Sequence, residues 1–216
     1  FDDTDSDDSS QQSIYGVWEK PYASATTRGE LVPQIIVRDP VASANGRSYY
    51  DLTFQDVDYA TKRGWYIDLN QADGQRVIYA TTAIKNFVLI NTVAPVTTLQ
   101  AQTCDNNGKG FTWLLPTLMD GTYDSTPVLD TNGDGIVSKT ETLAHGVSTE
   151  GNGPGTILTR GSSDDGSKDP KDPKDPKDPK CKTNVAIVDA DSSDRCADIP
   201  SSFKRVWRRL ITTPHP

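Results

Sequence analysis

The sequence predicts a mainly β fold, because short apolar runs alternate with turns along most of its length. The chain has 216 residues, of which only 34% are hydrophobic, and it contains 16 Gly and 14 Pro. That composition favours a modest core joined by many loops. One segment, Asp130–Glu141, interrupts the strand pattern with a filled set of calcium-type ligands. We therefore expect a β protein stapled by a single metal ion.

The strand signals lie between residues 14 and 160, after an acidic, polar segment at 1–13 that we expect to be flexible. Pro33 marks an edge or a bend in its run, and the turn at 72–75 predicts a hairpin between the runs on either side of it. Repeated short strands of this kind are typical of a sandwich, a barrel or a propeller. The apolar runs are residues 14–18, 31–37, 64–69, 76–82, 86–93 and 110–115.

The composition changes completely at residues 161–180, where tandem Lys-Asp-Pro units run to Lys180. Proline at every third position opposes a helix and favours an extended spacer, so we interpret this segment as a disordered linker.

The tail, 181–216, contains the one helix that the sequence predicts, at residues 202–211. Its apolar residues recur at helical spacing, and basic residues occupy the opposite face. Such a helix could bind a membrane surface. Docking onto protein is the favoured interpretation, because the segment is short for a helix that must be stable on its own. The apolar stripe consists of Phe203, Val206, Trp207, Leu210 and Ile211.

The segment Asp130–Glu141 matches the calcium loop of EF-hands, which is about 12 residues long and offers oxygen ligands at alternate positions around a turn glycine. An Asp/Gly-rich surface turn is the alternative interpretation, but a plain turn does not need every ligand position filled. An EF-hand pair is not expected, because residues 122–129 read as extended and only a short turn precedes Gly146. The predicted calcium ligands are Asp130, Asn132, Asp134, the Ile136 carbonyl, Ser138 and Glu141.

The chain contains 3 cysteines, and their spacing disfavours a zinc site. We predict a disulfide between Cys181 and Cys196, which would close a short loop and contribute roughly 3 kcal/mol. Cys104 is then free or paired outside this chain. Few cysteines together with a calcium loop favour a cell-envelope or extracellular location.

Charge and motif content exclude several functions. The formal net charge of −8 disfavours nucleic acid as a partner, and no apolar run approaches the roughly 18 residues of a membrane span. The first residue is Phe, so we expect a processed or excerpted piece of a longer protein. Neither His145 nor His215 lies in a catalytic motif, and we expect no enzyme activity. The alternative to a structural and adhesive role is a secreted carbohydrate-binding module, or a hydrolase fragment with a structural calcium.

Several motifs, in order, resemble the PilY/PilC family of type IV pilus tip-associated proteins. Residues 62–69 (KRGWYIDL) and 74–77 (GQRV) are similar to its GWYLDL…GERV segment. Residues 13–18 (SIYGVW) and 27–32 (TRGELV) resemble its YGIWD…TR-x-x-L-V, and residues 91–95 (NTVAP) its T-x-I-P strand end. Cys104 with 108–114 (GKGFTWL) resembles its C-x-x-G-G-x-x-W-L turn, 128–135 (VLDTNGDG) its calcium loop, and 205–210 (RVWRRL) its terminal helix.

This resemblance implies the last blades of a modified β-propeller at a pilus tip, where calcium governs pilus extension against retraction. It implies a calcium-binding component of pilus biogenesis that supports surface attachment and twitching motility. The implied partners are minor or major pilins, the remaining propeller blades, and a host or surface ligand. The implied location is extracellular, at the pilus tip and associated with the outer membrane. The chain departs from the family pattern at Val206, at Ser138 and in the Lys-Asp-Pro segment.

Overall fold

The computed structural model describes residues 8–19, 24–44, 46–94 and 109–150, and the backbone of strands at 157–160, 185–188 and 194–197. The predicted linker at 161–180, the predicted helix at 202–211, Cys104 and Cys181 lie outside the described residues. Cys196 lies in one of the strands described by backbone alone, so the predicted disulfide remains a prediction.

The described residues form a mainly β structure, as the sequence predicts, and the only helical segment among them is a 3-10 turn at Arg28–Glu30. No helix in these ranges is long and apolar enough to cross a membrane. The strands are β1 (Ser13–Val17), β2 (Val32–Ile36), β3 (Ala42–Ala44), β4 (Arg47–Tyr50), β5 (Leu52–Thr53), β6 (Gly64–Asp68), β7 (Arg76–Val77), β8 (Thr82–Ile84), β9 (Phe87–Ala94), β10 (Lys109–Pro116), β11 (Gly146–Glu150), β12 (Ile157–Arg160), β13 (Val185–Val188) and β14 (Asp194–Ala197).

These strands make three open sheets. A four-stranded sheet has the order β1-β6-β2-β5, and a seven-stranded sheet has the order β3-β4-β11-β10-β9-β7, with β8 also paired to β9. The third sheet is β12-β13-β14, so β12 pairs with β13 across the Lys-Asp-Pro segment of the sequence. Only β2 and β6 pair in parallel; the other pairs of described strands are antiparallel.

The long β9–β10 pair is buried on both of its faces. Alternate residues of a strand point to opposite faces, so each face belongs to a different core. Trp113 pairs with Ile90 on the face that packs against the four-stranded sheet, and Leu114 pairs with Leu89 on the other face. We call these the first core and the second core. The first core contains Val32, Ile36, Leu52, Val57, Trp65, Ile67, Leu69, Ile90, Phe111, Trp113, Leu115 and Met119. The second contains Tyr49, Phe87, Leu89, Leu114, Tyr123, Val128, Leu129, Ala144 and Val147.

The predicted hairpin between residues 64–69 and 76–82 is wrong. β6 pairs with β1 and β2, whereas β7 pairs with β9 in the other sheet. The turn residue Gln75 explains the divergence, because its side chain is buried and its amide donates to the Thr92 hydroxyl of β9 at 2.7 Å. The chain therefore crosses between sheets at this turn and does not fold back on itself. Pro33 has a paired strand on one side only, because it lies opposite Tyr66 of β6, whereas β5 pairs with β2 at Ile35 and Ile36.

Candidate metal centre

The predicted calcium loop lies in the connection between the neighbouring strands β10 and β11. Met119, near the start of this connection, is buried in the first core, whereas Tyr123, Leu129 and Ala144 cover the second-core face of the seven-stranded sheet. Val128 and Leu129 enter the second core immediately before the loop, and Ala144 enters it afterwards. The backbone N–H of Leu114 donates to the carbonyl of His145 at 2.7 Å, which continues the β10–β11 pairing into the connection. Both ends of the loop are thus fixed to the sheet by apolar contacts and backbone hydrogen bonds.

Short polar side chains hold the loop in successive turns by accepting hydrogen bonds from the backbone ahead of them. Asp130 accepts from the N–H groups of Gly133 at 2.7 Å and Gly135 at 2.8 Å. Asn132 accepts from Asp134 N–H, and Asp134 accepts from Ile136 N–H, both at 2.8 Å. Asp and Asn favour such turns because their side chains reach the backbone about two residues on. The glycines adopt φ angles of 78° and 88°, a region that other residues rarely enter.

Three carboxylates converge within this loop. Asp130, Asp134 and Glu141 each present an oxygen, and these oxygens all lie within 4.8 Å of one another. Asp130 and Glu141 are buried, whereas Asp134 is exposed. At an effective dielectric constant of about 20, two charges at that separation repel by roughly 3 kcal/mol, and water screens the exposed Asp134 further. The described loop therefore concentrates negative charge that a cation would neutralise.

Glu141 is oriented by the start of the loop. Its Oε2 accepts from the Thr131 backbone N–H at 3.1 Å and from the Thr131 hydroxyl at 2.7 Å. Thr131 is buried, and sequence reasoning did not single it out, because the ligand pattern leaves its position unspecified. A hydroxyl directly after the first Asp is the signal that could have identified it. Thr131 therefore holds Glu141, the last predicted ligand, beside the start of the loop.

Asn132 brings an amide between two of the carboxylates. Its Nδ2 lies 3.0 Å from Glu141 Oε1 and 3.2 Å from Asp134 Oδ2. Its Oδ1 accepts the Asp134 N–H, so both ends of the amide are hydrogen-bonded. The amide N–H group offsets part of the repulsion between the two carboxylates.

The predicted ligand Ser138 lies at the margin of this cluster. The Ser138 hydroxyl is 3.4 Å from Glu141 Oε1 and 2.8 Å from the Thr140 hydroxyl. Ile136 is 43% exposed, and its backbone N–H donates to Asp134 Oδ1 at 2.8 Å. Val137, next to it, is half-buried.

A buried histidine follows the loop, and its role was not recognised from sequence. His145 is fully buried, and its Nδ1 lies 2.8 Å from Asp51 Oδ1. Asp51 stands between β4 of the seven-stranded sheet and β5 of the four-stranded sheet. Phe54 packs edge-on against the imidazole at 4.8 Å. This pair joins the end of the connection to the junction between the two sheets.

No protein-family model, no curated protein and no solved structure matches this chain. The fold and site define a mainly β protein with an acidic cluster capable of holding a metal ion.

Proposed function

We propose that the loop Asp130–Glu141 binds one Ca²⁺ ion. The observation that carries this proposal is the convergence of the Asp130, Asp134 and Glu141 carboxylates within 4.8 Å of one another. Asn132, Ser138 and the Ile136 carbonyl are the remaining proposed ligands.

The donor chemistry favours calcium over other common metals. Every proposed ligand is an oxygen, and Ca²⁺ takes about six to eight oxygens in a flexible geometry. Mg²⁺ demands a stricter octahedral arrangement and retains several waters, whereas structural Zn²⁺ sites usually use Cys and His. The mixture of carboxylate, amide, hydroxyl and carbonyl oxygens in an EF-hand-like loop therefore suits Ca²⁺.

The bound ion would stabilise the connection that covers the second core. It would offset the repulsion between the carboxylates and hold the two ends of the loop together. Leu129 directly precedes the loop and Ala144 follows shortly after it, and both are buried in the second core with residues of β9 and β10. Calcium would thus act as a staple that keeps apolar side chains seated on the sheet.

The wider function that we propose is a calcium-binding structural and adhesive component of a type IV pilus tip. The ordered motif resemblance supports it, together with the β-rich architecture and the loop. Two sheets pack face to face through the first core, as neighbouring propeller blades do, but the seven-stranded sheet and the parallel β2–β6 pair depart from a four-stranded antiparallel blade. Pilins and the remaining blades are the proposed partners, and attachment and twitching motility the proposed outputs.

Calorimetric titration with calcium tests the metal proposal. Asp134→Ala removes an exposed carboxylate of the cluster, so it should weaken binding strongly while leaving most of the fold intact. Asp124→Ala is the matched control, because it removes the same charge from the same connection but outside the cluster. Equal calcium affinity in the wild-type chain and the Asp134→Ala variant would refute the assignment.

Co-sedimentation with purified type IV pili tests the wider function. We expect the chain to bind pili in calcium, and Asp134→Ala to bind more weakly than Asp124→Ala at the same calcium concentration. Binding that is equal in calcium and in chelator would make the ion a staple without a role in the interaction. Absence of binding in both conditions would contradict the pilus assignment and leave the metal site to be judged by calorimetry.

A further inference from the structure

The strand β1 forms one edge of the four-stranded sheet, and its outer side is open among the described residues. Trp18 N–H donates to Arg63 O at 2.8 Å, and Leu69 N–H donates to Gln12 O at 2.9 Å. In an antiparallel pair the hydrogen-bonded positions alternate, so the even-numbered residues of β1 bond to β6. The backbone groups of Ser13, Tyr15 and Val17 therefore point away from β6, towards the open edge.

This edge lacks the usual protection against further pairing. Edge strands are commonly short, or carry charges or proline that discourage another strand. β1 spans five residues, Ser-Ile-Tyr-Gly-Val, with neither a charge nor a proline. The other strands that border these two sheets are shorter: β5 and β7 have two residues each, and β3 and β8 have three. β1 is thus the long, neutral edge of the described sheets.

Tyr15 and Val17 of β1 expose apolar side-chain surface beside that edge, and the Arg28–Asp68 ion pair lies next to it. Tyr15 and Val17 are 50% and 49% exposed, whereas Gly16 lies against Trp65, where a Cβ atom would come within 2.3 Å of the indole. Arg28 donates to the Tyr15 hydroxyl at 3.1 Å. The Arg28 guanidinium also lies 4.0 Å from the centre of the neighbouring Tyr66 ring. These contacts hold the outer face of the strand in place.

We propose that β1 pairs antiparallel with β1 of a second copy of this chain, on a twofold axis at Tyr15. Tyr15 would bond to its own counterpart, and Ser13 would bond to the partner's Val17. The charge pattern favours this orientation, because Ser13–Val17 is uncharged and Glu19 falls opposite the partner's Gln11. A parallel arrangement in register would instead set Glu19 beside its own copy. An isologous contact of this kind closes after two subunits.

The net charge of the chain should make the proposed dimer depend on ionic strength. Each copy carries a formal charge of −8, so the two copies repel at long range. Salt screens that repulsion and leaves backbone hydrogen bonds largely unchanged. Self-association should therefore strengthen as ionic strength rises, whereas pairing with a basic foreign strand would weaken.

Sedimentation equilibrium of the full chain in reducing buffer is the first test, since reduction removes any disulfide-linked species. Val17→Pro deletes one outward N–H that no described strand uses, and Val17→Ala shortens the same side chain but keeps the N–H. We expect concentration-dependent dimers for the wild type and Val17→Ala, and monomers for Val17→Pro. A wild-type chain that stays monomeric at every concentration and ionic strength would overturn the proposal.

Amide hydrogen exchange identifies the edge directly and checks that the proline variant is folded. In the wild type, the Ser13, Tyr15 and Val17 amides should gain protection as protein concentration rises, while those of Ile14, Gly16 and Trp18 are protected throughout. Protection of the outward amides that is independent of concentration would show that a segment of the same chain covers the edge, which would also overturn the proposal. Because the dimer does not involve the loop, it should persist in chelator, so its failure is separable from that of the calcium site.

Discussion

The two faces of the β9–β10 pair are covered in different ways. A regular sheet covers one face, where Trp65 and Ile67 of β6 meet Trp113 and Phe111 of β10. The other face is covered mainly by an irregular connection whose acidic loop lies between two apolar anchors. The first core is stabilised by strand pairing and aromatic packing. The second core also needs the charged loop to keep the apolar residues on either side of it in contact with the sheet. We therefore propose that the same sheet carries an ion-independent core on one face and an ion-dependent core on the other.

The largest expected effect is on the first core. Trp113 is 1% exposed, stacks beside Phe111 and donates its indole N–H to the Thr92 hydroxyl at 3.1 Å. Trp113→Ala should lower the free energy of unfolding by about 3–5 kcal/mol. Urea unfolding in calcium and in chelator should show the same loss in both, because this residue faces away from the loop. A loss confined to one condition would break the separation of the two cores.

Leu129→Ala should have a smaller effect that depends on calcium. Leu129 is buried directly before Asp130, and truncating a buried leucine typically costs about 2–5 kcal/mol. Because the side chain anchors the loop, the variant should also bind calcium more weakly than the wild type in calorimetry. Unchanged calcium affinity would show that the loop folds independently of the second core.

Asn132→Asp should lower the stability of the fold in chelator and raise its affinity for calcium. In chelator the variant loses the amide that lies between Glu141 and Asp134 and adds a like charge, so it should be less stable by about 1 kcal/mol. In calcium the added carboxylate should raise affinity several-fold, because affinity rises with ligand charge. Paired unfolding and titration experiments check both signs, and a stability gain in chelator would contradict the cluster geometry.

The smallest expected effect concerns the 3-10 turn Arg28–Glu30, which precedes β2 of the four-stranded sheet. The Thr27 backbone N–H donates to Glu30 at 2.7 Å, and this bond holds the pKa of the Glu30 carboxyl below its ordinary value. Since the folded pKa is lowered, the stabilisation is present above the ordinary pKa and is lost as pH falls through the lowered value. Nuclear magnetic resonance should show the Thr27 amide signal titrating in acid together with Glu30. In Glu30→Gln that titration should disappear, with calcium binding unaffected.

Sequence reasoning recovers the features that are local. The mainly β class follows from short apolar runs, and β1, β2, β9 and β10 lie where those runs predict them. The loop turns likewise follow from the spacing of Asp, Asn and Gly, because each side chain bonds to backbone about two residues on.

Sequence reasoning misses features that depend on distant partners. The hairpin prediction fails because Gln75 finds Thr92 across another strand, and no local signal records that contact. The role of His145 was missed because its partner, Asp51, is far away in sequence. Thr131 was overlooked because the ligand pattern treats its position as free, although its hydroxyl orients Glu141.

We propose that calcium in the loop stabilises this fold, and equilibrium unfolding of the wild-type chain tests this proposal most directly. The free energy of unfolding should be compared in saturating calcium, in the same concentration of magnesium, and in chelator. At a free calcium concentration about 100 times the dissociation constant, linkage predicts a gain of about 2.7 kcal/mol over chelator, with a much smaller gain in magnesium. Superimposable unfolding curves in calcium and chelator would show that calcium does not stabilise the fold.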